Sequence, residues 1–234
     1  MFPGFGFDPT MILLIPAMGF AFWAQWKVQA TFNEYAQVPA SNGRSGRQLA
    51  LDIMARNGVT GVQVEPVEGV LSDHYDPGAR KVRLSESNFA GGSVASIAVA
   101  AHEVGHVLQH HEGYLPLQMR AGMAPVVGFA SMAATPLFFI GLFFMKGMPL
   151  GGLLMDLGIV FFAGAVLFHV VTLPVEFDAS RRALVQLTET RALAPDELAG
   201  AKKVLDAAAL TYVAAAAMAA LQLVRLLVLR NDRR

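Results

Sequence analysis

The chain contains no cysteine in 234 residues. That absence excludes disulfides and thiolate nucleophiles, and it restricts any zinc site to histidine and carboxylate ligands. Charge is also scarce. Asp, Glu, Lys and Arg make up only 15% of the residues, and 18 basic residues balance 18 acidic ones. A net charge of zero argues against a nucleic-acid or other polyanionic partner. What fills the space is apolar: 54% of the residues are hydrophobic and the mean hydropathy is +0.46, above the range of ordinary soluble domains.

Such a composition directs attention to membrane spans. Pro9 to Trp26 is an apolar run long enough to cross a hydrocarbon core, bounded by Asp8 and Lys27. Trp23 and Trp26 suit the interface, and Pro16 is expected to kink the run. Met1 to Phe7 lacks Lys and Arg, so the run reads as an uncleaved span rather than a signal peptide. Met123 to Met145 and Leu150 to Leu173 read as a helical hairpin of two spans turning at Lys146. Ala207 to Leu229 is an Ala-rich fourth span with Arg225 snorkelling near its end. Within the third span, Asp156 reads as an interfacial residue. His169 is an ionisable group at membrane depth, and therefore a candidate for function.

The expected organisation is a mainly α integral membrane protein with about four transmembrane helices and a small α+β domain. Its segments are an anchor at 1–26, a polar segment at 27–122, the hairpin at 123–173, a second polar segment at 174–206, and the last span with its tail at 207–234. Four crossings place the two polar segments on one side of the bilayer. Together they hold thirteen of the eighteen Lys and Arg residues, which assigns that side to the cytoplasm, with Arg230, Arg233 and Arg234 opposite.

In the first polar segment, Ser45 to Asn57 has apolar residues at Leu49, Ile53 and Met54, predicting an amphipathic helix stopped by Gly58. Val59 to Val70 reads as a strand interrupted at Pro66, and Lys81 to Ser85 as a second strand. Asp73 to Gly78 is turn-rich, with His74 a surface turn residue. A small sheet or hairpin is expected beside the helix that follows. Ala194 to Leu198, with Pro195 and two acids in the first turn, marks a helix start in the second polar segment.

That following helix carries the chemistry. Ser96 to Ala101 is apolar and free of Gly and Pro, and it leads into His102-Glu103-Val104-Gly105-His106. Residues four apart share a helix face, so His102 and His106 can present both imidazoles to one metal ion, with Glu103 placed to hold a water. Two histidines and a glutamate inside an apolar helix are expensive without partners. His110 and His111 read as cations favourable at the helix C-terminus, ahead of a stop at Gly113.

A catalytic zinc takes three protein ligands and keeps one position open. The longer pattern in which a third histidine follows a glycine fails here, because Gln109 and Glu112 occupy those places. The better third ligand is Glu176, at the end of a predicted span. Asp178 is an alternative ligand, or a residue that orients a ligating imidazole. His169 lies two turns before Glu176, and His169, Arg181 and Arg182 are the available donors for an oxyanion.

The blocks DHYDP, VRLS, AAHEVGHVLQ and LPVEFDASRRA together resemble the bacterial neutral zinc metallopeptidase family of membrane proteins. More distantly they are similar to the membrane-embedded heat-shock and CAAX-prenyl zinc proteases. The resemblance implies a zincin-like catalytic domain and zinc held by His102, His106 and Glu176, with Glu103 as base. It also implies a protein or peptide substrate, paired by its backbone to an edge strand at Val82 to Ser85 or to the Asn88 segment. Ser180 stands where the distant relatives have an Asp. The function expected is zinc-dependent hydrolysis of peptide bonds in membrane or misfolded proteins. The alternative is a non-catalytic zinc-binding membrane scaffold.

Overall fold

In a computed structural model the described residues are 9–144 and 147–232. The expectations placed on Met1 to Asp8, Lys146, Arg233 and Arg234 lie outside them. Seven α-helices occur in the order α1 (Ile15–Ala36, entered through a 3-10 turn at Pro9–Leu14), α2 (Gly46–Arg56), α3 (Glu86–Ala90), α4 (Val94–His111), α5 (Leu115–Phe143), α6 (Pro149–Glu189) and α7 (Pro195–Asn231). Three short strands, β1 (Gln63–Val67), β2 (His74–Asp76) and β3 (Lys81–Ser85), fall between α2 and α3. The protein is thus mainly α, with four helices long and apolar enough to cross a membrane and one small sheet.

The chain divides into two units, one of Met1–Trp23, Met119–Thr172 and Tyr212–Arg234, the other of Ala24–Gln118 and Leu173–Thr211. The first is helical. Its α5 and α6 approach so closely that a Cβ on Gly158 would meet the Ala134 carbonyl oxygen at 2.7 Å, the small-residue packing expected of helices in lipid. Phe138, Leu142, Met155 and Leu226 form its buried core. Val126, Phe129, Met132, Leu153 and Val160 are exposed, a surface suited to hydrocarbon rather than water. Asp156, read as interfacial, accepts two hydrogen bonds from Arg230, at 2.7 and 3.0 Å. Arg225 does not snorkel as expected: it is buried and donates to the Thr10 hydroxyl at 3.1 Å.

Proline ordinarily breaks a helix interior, but these helices run through theirs. Pro16 sits in the first turn of α1, where its missing N–H has no partner to lose. Pro125, Pro136 and Pro174 lie inside continuous helices. At 1.5 Å per residue, α6 with its 41 residues is about 60 Å long, roughly twice a hydrocarbon core. The ends of the predicted spans are therefore not helix ends.

The second unit is the α+β part. Ser45 caps α2 with a reciprocal box: its hydroxyl accepts from the Gln48 N–H, and the Gln48 side chain accepts from the Ser45 N–H. Asn57 and then Gly58, at φ +67°, end the helix where expected. The sheet order is β1-β3-β2, with β1 parallel and β2 antiparallel to β3. Pro66 is tolerated because β1 is an edge strand. Two expectations are corrected. The turn-rich stretch contains the strand β2, held to β3 by Arg83, which reaches Asp76 at 3.0 Å. And Val82 to Ser85 lies on the central strand, paired along its length with β1 and at Val82 and Arg83 also with β2, while Asn88 lies on α3 and is fully buried. Neither is an open edge for a substrate.

Candidate metal centre

Helix α4 is the axis of the second unit. Ser93 caps it by accepting from the Ser96 N–H. Val94, Ile97, Ala98, Ala101, Val104 and Leu108 are buried together with Leu49 and Ile53 of α2, Val82 and Leu84 of β3, and Ala183 and Leu187 of α6. Burial on nearly every side leaves its polar residues only protein partners. Gly105, inside the pentapeptide, is where α6 crosses. A Cβ there would stand 2.4 Å from the Ala179 carbonyl oxygen. The glycine lets the backbones touch, and that contact carries residues 175–182 of α6 to the two histidines.

At this crossing His102, His106 and Glu176 converge, with their ligand atoms all within 4.8 Å of one another. Both imidazoles turn Nε2 towards the same carboxylate oxygen, Oε2 of Glu176, at 3.3 Å from His102 and 3.6 Å from His106. Glu176 is 2% exposed and Glu103 7%. Burial pushes the Glu103 carboxyl above its ordinary value, against the pull of His102 and His106, and the charges of Glu176 and Asp73 push it the same way. Burial also raises Glu176, but the two imidazoles outweigh it and hold that carboxyl far below the usual carboxylate range. Burial lowers His106, and Glu176 and Glu103 more than reverse it.

The far nitrogens of the two rings are held as well. Nδ1 of His102 lies 3.2 Å from the Ser180 hydroxyl. Nδ1 of His106 lies 3.0 Å from Oε1 of Gln109, whose amide nitrogen donates to the Val175 carbonyl at 2.8 Å and to Asp178 at 3.0 Å. Asp178 in turn accepts from Arg181 and Arg182, and Arg182 reaches Glu112 at 2.7 Å and lies over the Tyr114 ring. Asp178 is therefore neither a member of the cluster nor a direct partner of an imidazole. It acts on His106 through Gln109.

Three other candidates are placed elsewhere. Arg181 pairs with Asp178 and has a side chain 66% exposed. His169 belongs to the first unit, edge-on to Phe168. His110, in the last turn of α4, lies 2.7 Å from the Tyr75 hydroxyl and, with His111, lines a cleft of about 140 Å³ beside Arg80. His74 is exposed on β2, as expected of a surface residue. The residues that sequence reasoning missed are Gln109, Ser180 and Asp73. Gln109 had one signal, its position three residues after His106 on the same apolar helix, and Ser180 stands one turn after Glu176. Asp73 had none: it looked like a turn residue, yet it accepts from Ser85 and Asn88 beside the motif helix.

A family model described as "Putative neutral zinc metallopeptidase" matches residues 10–231. The chain belongs to this family. One curated relative, "Putative membrane protease YugP" of Bacillus subtilis (strain 168), is 50% identical over 216 residues, covering 92% of this chain and 93% of that protein. No solved structure matches the chain. With its four long apolar helices, this member of the zinc metallopeptidase family is a membrane-associated protein.

The donor set fits the metal that the family's description names. Two imidazole nitrogens and one carboxylate, without thiolate, are one of the donor sets of catalytic zinc. Tetrahedral ligands at about 2.0–2.1 Å from an ion stand roughly 3.3 Å from each other, close to the 3.3 and 3.6 Å separating Glu176 Oε2 from the two Nε2 atoms. Among the described residues the cluster offers three ligands, not four.

Proposed function

We propose that this protein is a membrane-bound zinc endopeptidase in which His102, His106 and Glu176 hold the ion and Glu103 is the general base. The observation that carries this reading is the convergence of those three ligand atoms within 4.8 Å, with a buried Glu103 one residue from His102. Three ligands leave a fourth position for water or substrate, whereas a structural zinc is closed by four protein ligands. This favours an enzyme over a scaffold.

A zinc ion at this site would polarise the scissile carbonyl and acidify a water molecule. The chain supplies the rest. Glu103 takes a proton from the attacking water as the new C–O bond forms, and delivers it to the amine as the carbonyl re-forms and the peptide C–N bond breaks. A carboxylate whose proton affinity is raised by burial keeps that proton between the two steps better than an exposed one. Ser180 and Gln109 orient the imidazoles. The substrates are peptide segments of membrane or misfolded proteins, met at the bilayer. The site faces the cytoplasm in this reading, which the basic residues of segments 27–122 and 174–206 support.

The test is Glu103→Gln in the full chain, purified in detergent, with zinc content and cleavage of an unfolded protein measured together. Zinc is retained and cleavage falls by at least about 10²-fold, the usual worth of a general base. A Glu103→Gln protein that cleaves at the wild-type rate sinks the reading.

A further inference from the structure

The Gln109 side chain is fully buried, so its amide has only protein partners to satisfy. Three groups surround it: the His106 ring nitrogen Nδ1, the Val175 carbonyl and the Asp178 carboxylate. Two of these, Val175 O and Asp178 Oδ2, only accept hydrogen bonds at neutral pH. They take the two hydrogens of the amide nitrogen. Turning the amide over would set its oxygen against both acceptors, leaving the Val175 carbonyl and the Asp178 carboxylate facing a third acceptor. The amide therefore has one orientation, with Oε1 towards His106. An oxygen acceptor at 3.0 Å requires a hydrogen on Nδ1.

From this geometry we infer that Gln109 is a positioning residue that fixes the tautomer of His106, keeping the hydrogen on Nδ1 and the lone pair on Nε2, directed at Glu176. The instruction originates in Asp178, whose negative charge is set by Arg181 and Arg182, and it passes through the amide. His102 is governed differently. Its Nδ1 faces the Ser180 hydroxyl, which can rotate to donate or to accept. The two histidines of one motif are thus unequal: His106 is held in its ligating form and His102 is free to adopt it. With Nδ1 engaged by Gln109, Nε2 is the ring nitrogen left to face the Glu176 carboxylate oxygen, 3.6 Å away. The inference rests on His106 as a zinc ligand, but its first test does not.

That test is nitrogen NMR of the full-length protein in detergent, with ¹⁵N-labelled histidine and His106→Gln to assign the signal. His106 shows a protonated Nδ1 in the zinc-free protein at pH 8, whatever the state of Nε2. A protonated Nε2 with a bare Nδ1 overturns the proposal, whatever the protein's activity. The second test exchanges the polarity of the relay and reads zinc affinity by chelator competition. Gln109→Glu faces Asp178 with a second carboxylate and weakens zinc by roughly 10–100-fold, the usual cost of losing an outer-shell partner. In an Asp178→Asn background an amide again meets a carboxylate, only the Val175 carbonyl loses its donor, and the same Gln109→Glu change costs markedly less. Equal losses in both backgrounds overturn the relay, because simple damage to packing would not depend on residue 178. If the NMR holds while no variant binds zinc differently, Gln109 sets the tautomer and the ligand assignment of His106 is what fails.

Discussion

Replacing Gly105 by alanine tests the helix crossing on which the site depends, and it does so through the sign of the effect. In an exposed helix interior the change from glycine to alanine stabilises by about 1 kcal/mol, because alanine has less backbone freedom to lose. At Gly105 the new Cβ would stand 2.4 Å from the Ala179 carbonyl oxygen, 3.0 Å from its carbon and 3.1 Å from its Cα. All three are backbone atoms of α6 and none can rotate away. Ordinary contact begins at 3.4 Å, so α4 and α6 must part by about 1 Å at this point. Overpacking of this kind destabilises by about 1–3 kcal/mol, which outweighs the helix gain. The same displacement moves Glu176 relative to His102 and His106 by several times the roughly 0.2 Å within which metal–ligand distances are held. The expected Gly105→Ala protein melts at lower temperature and binds zinc at least about tenfold more weakly, read by differential scanning fluorimetry in detergent and by chelator competition. A Gly105→Ala protein that melts higher and keeps its zinc affinity refutes the crossing geometry.

Removing ligands separates the proposed roles. Both His102→Ala and Glu176→Ala are expected to lose zinc on dialysis, measured by elemental analysis; loss in the first but retention in the second would discard Glu176 as ligand. The sheet has its own acid dependence. The Glu65 carboxyl is held below its ordinary value by hydrogen bonds from Lys81 and Arg83, and Asp76 by the Ala79 N–H and Arg83. Their folded-state values are depressed, so their stabilisation is present above the unfolded value near pH 4 and lost as pH falls through the folded one. The melting difference between wild type and Glu65→Gln is expected to close as pH drops below about 4; a gap that stays constant refutes it. Finally, Ser45→Ala removes one half of the α2 capping box and is expected to destabilise by about 1 kcal/mol, with zinc affinity unchanged. A loss of affinity would show that α2 does more than pack against α4.

Local features of this fold were legible in the sequence, and relations between distant segments were not. The amphipathic helix α2, the strand at Lys81 to Ser85 and the motif helix each depend on residues within a few positions, and each appears where expected. Strand β2 was hidden because three residues between turn formers carry no period, and its pairing depends on Arg83 and Asp76. The order of the strands places β3 in the middle, which no property of Lys81 to Ser85 alone announces. A proline such as Pro174 ordinarily ends a helix, yet α6 passes through it, as helices in an apolar setting tolerate when neighbours satisfy the freed backbone groups. At the site, Glu176 was legible as an acid at the end of an apolar run. The role of Gln109 was not, because it depends on Val175 and Asp178, which lie 66 and 69 positions away.

Everything α6 brings to the cluster lies between Val175 and Arg182, little more than two turns of one uninterrupted helix. The Val175 carbonyl and Asp178 meet Gln109 of α4, Glu176 and Ser180 meet His102, and the Ala179 backbone meets Gly105. They work like the wards of a lock, cut to one insertion depth. Advancing the helix by a single residue shifts it about 1.5 Å and turns it about 100°, which withdraws all five at once. An insertion or deletion of one residue inside 175–182 should therefore abolish the site outright, whereas substitutions there would erode it by degrees.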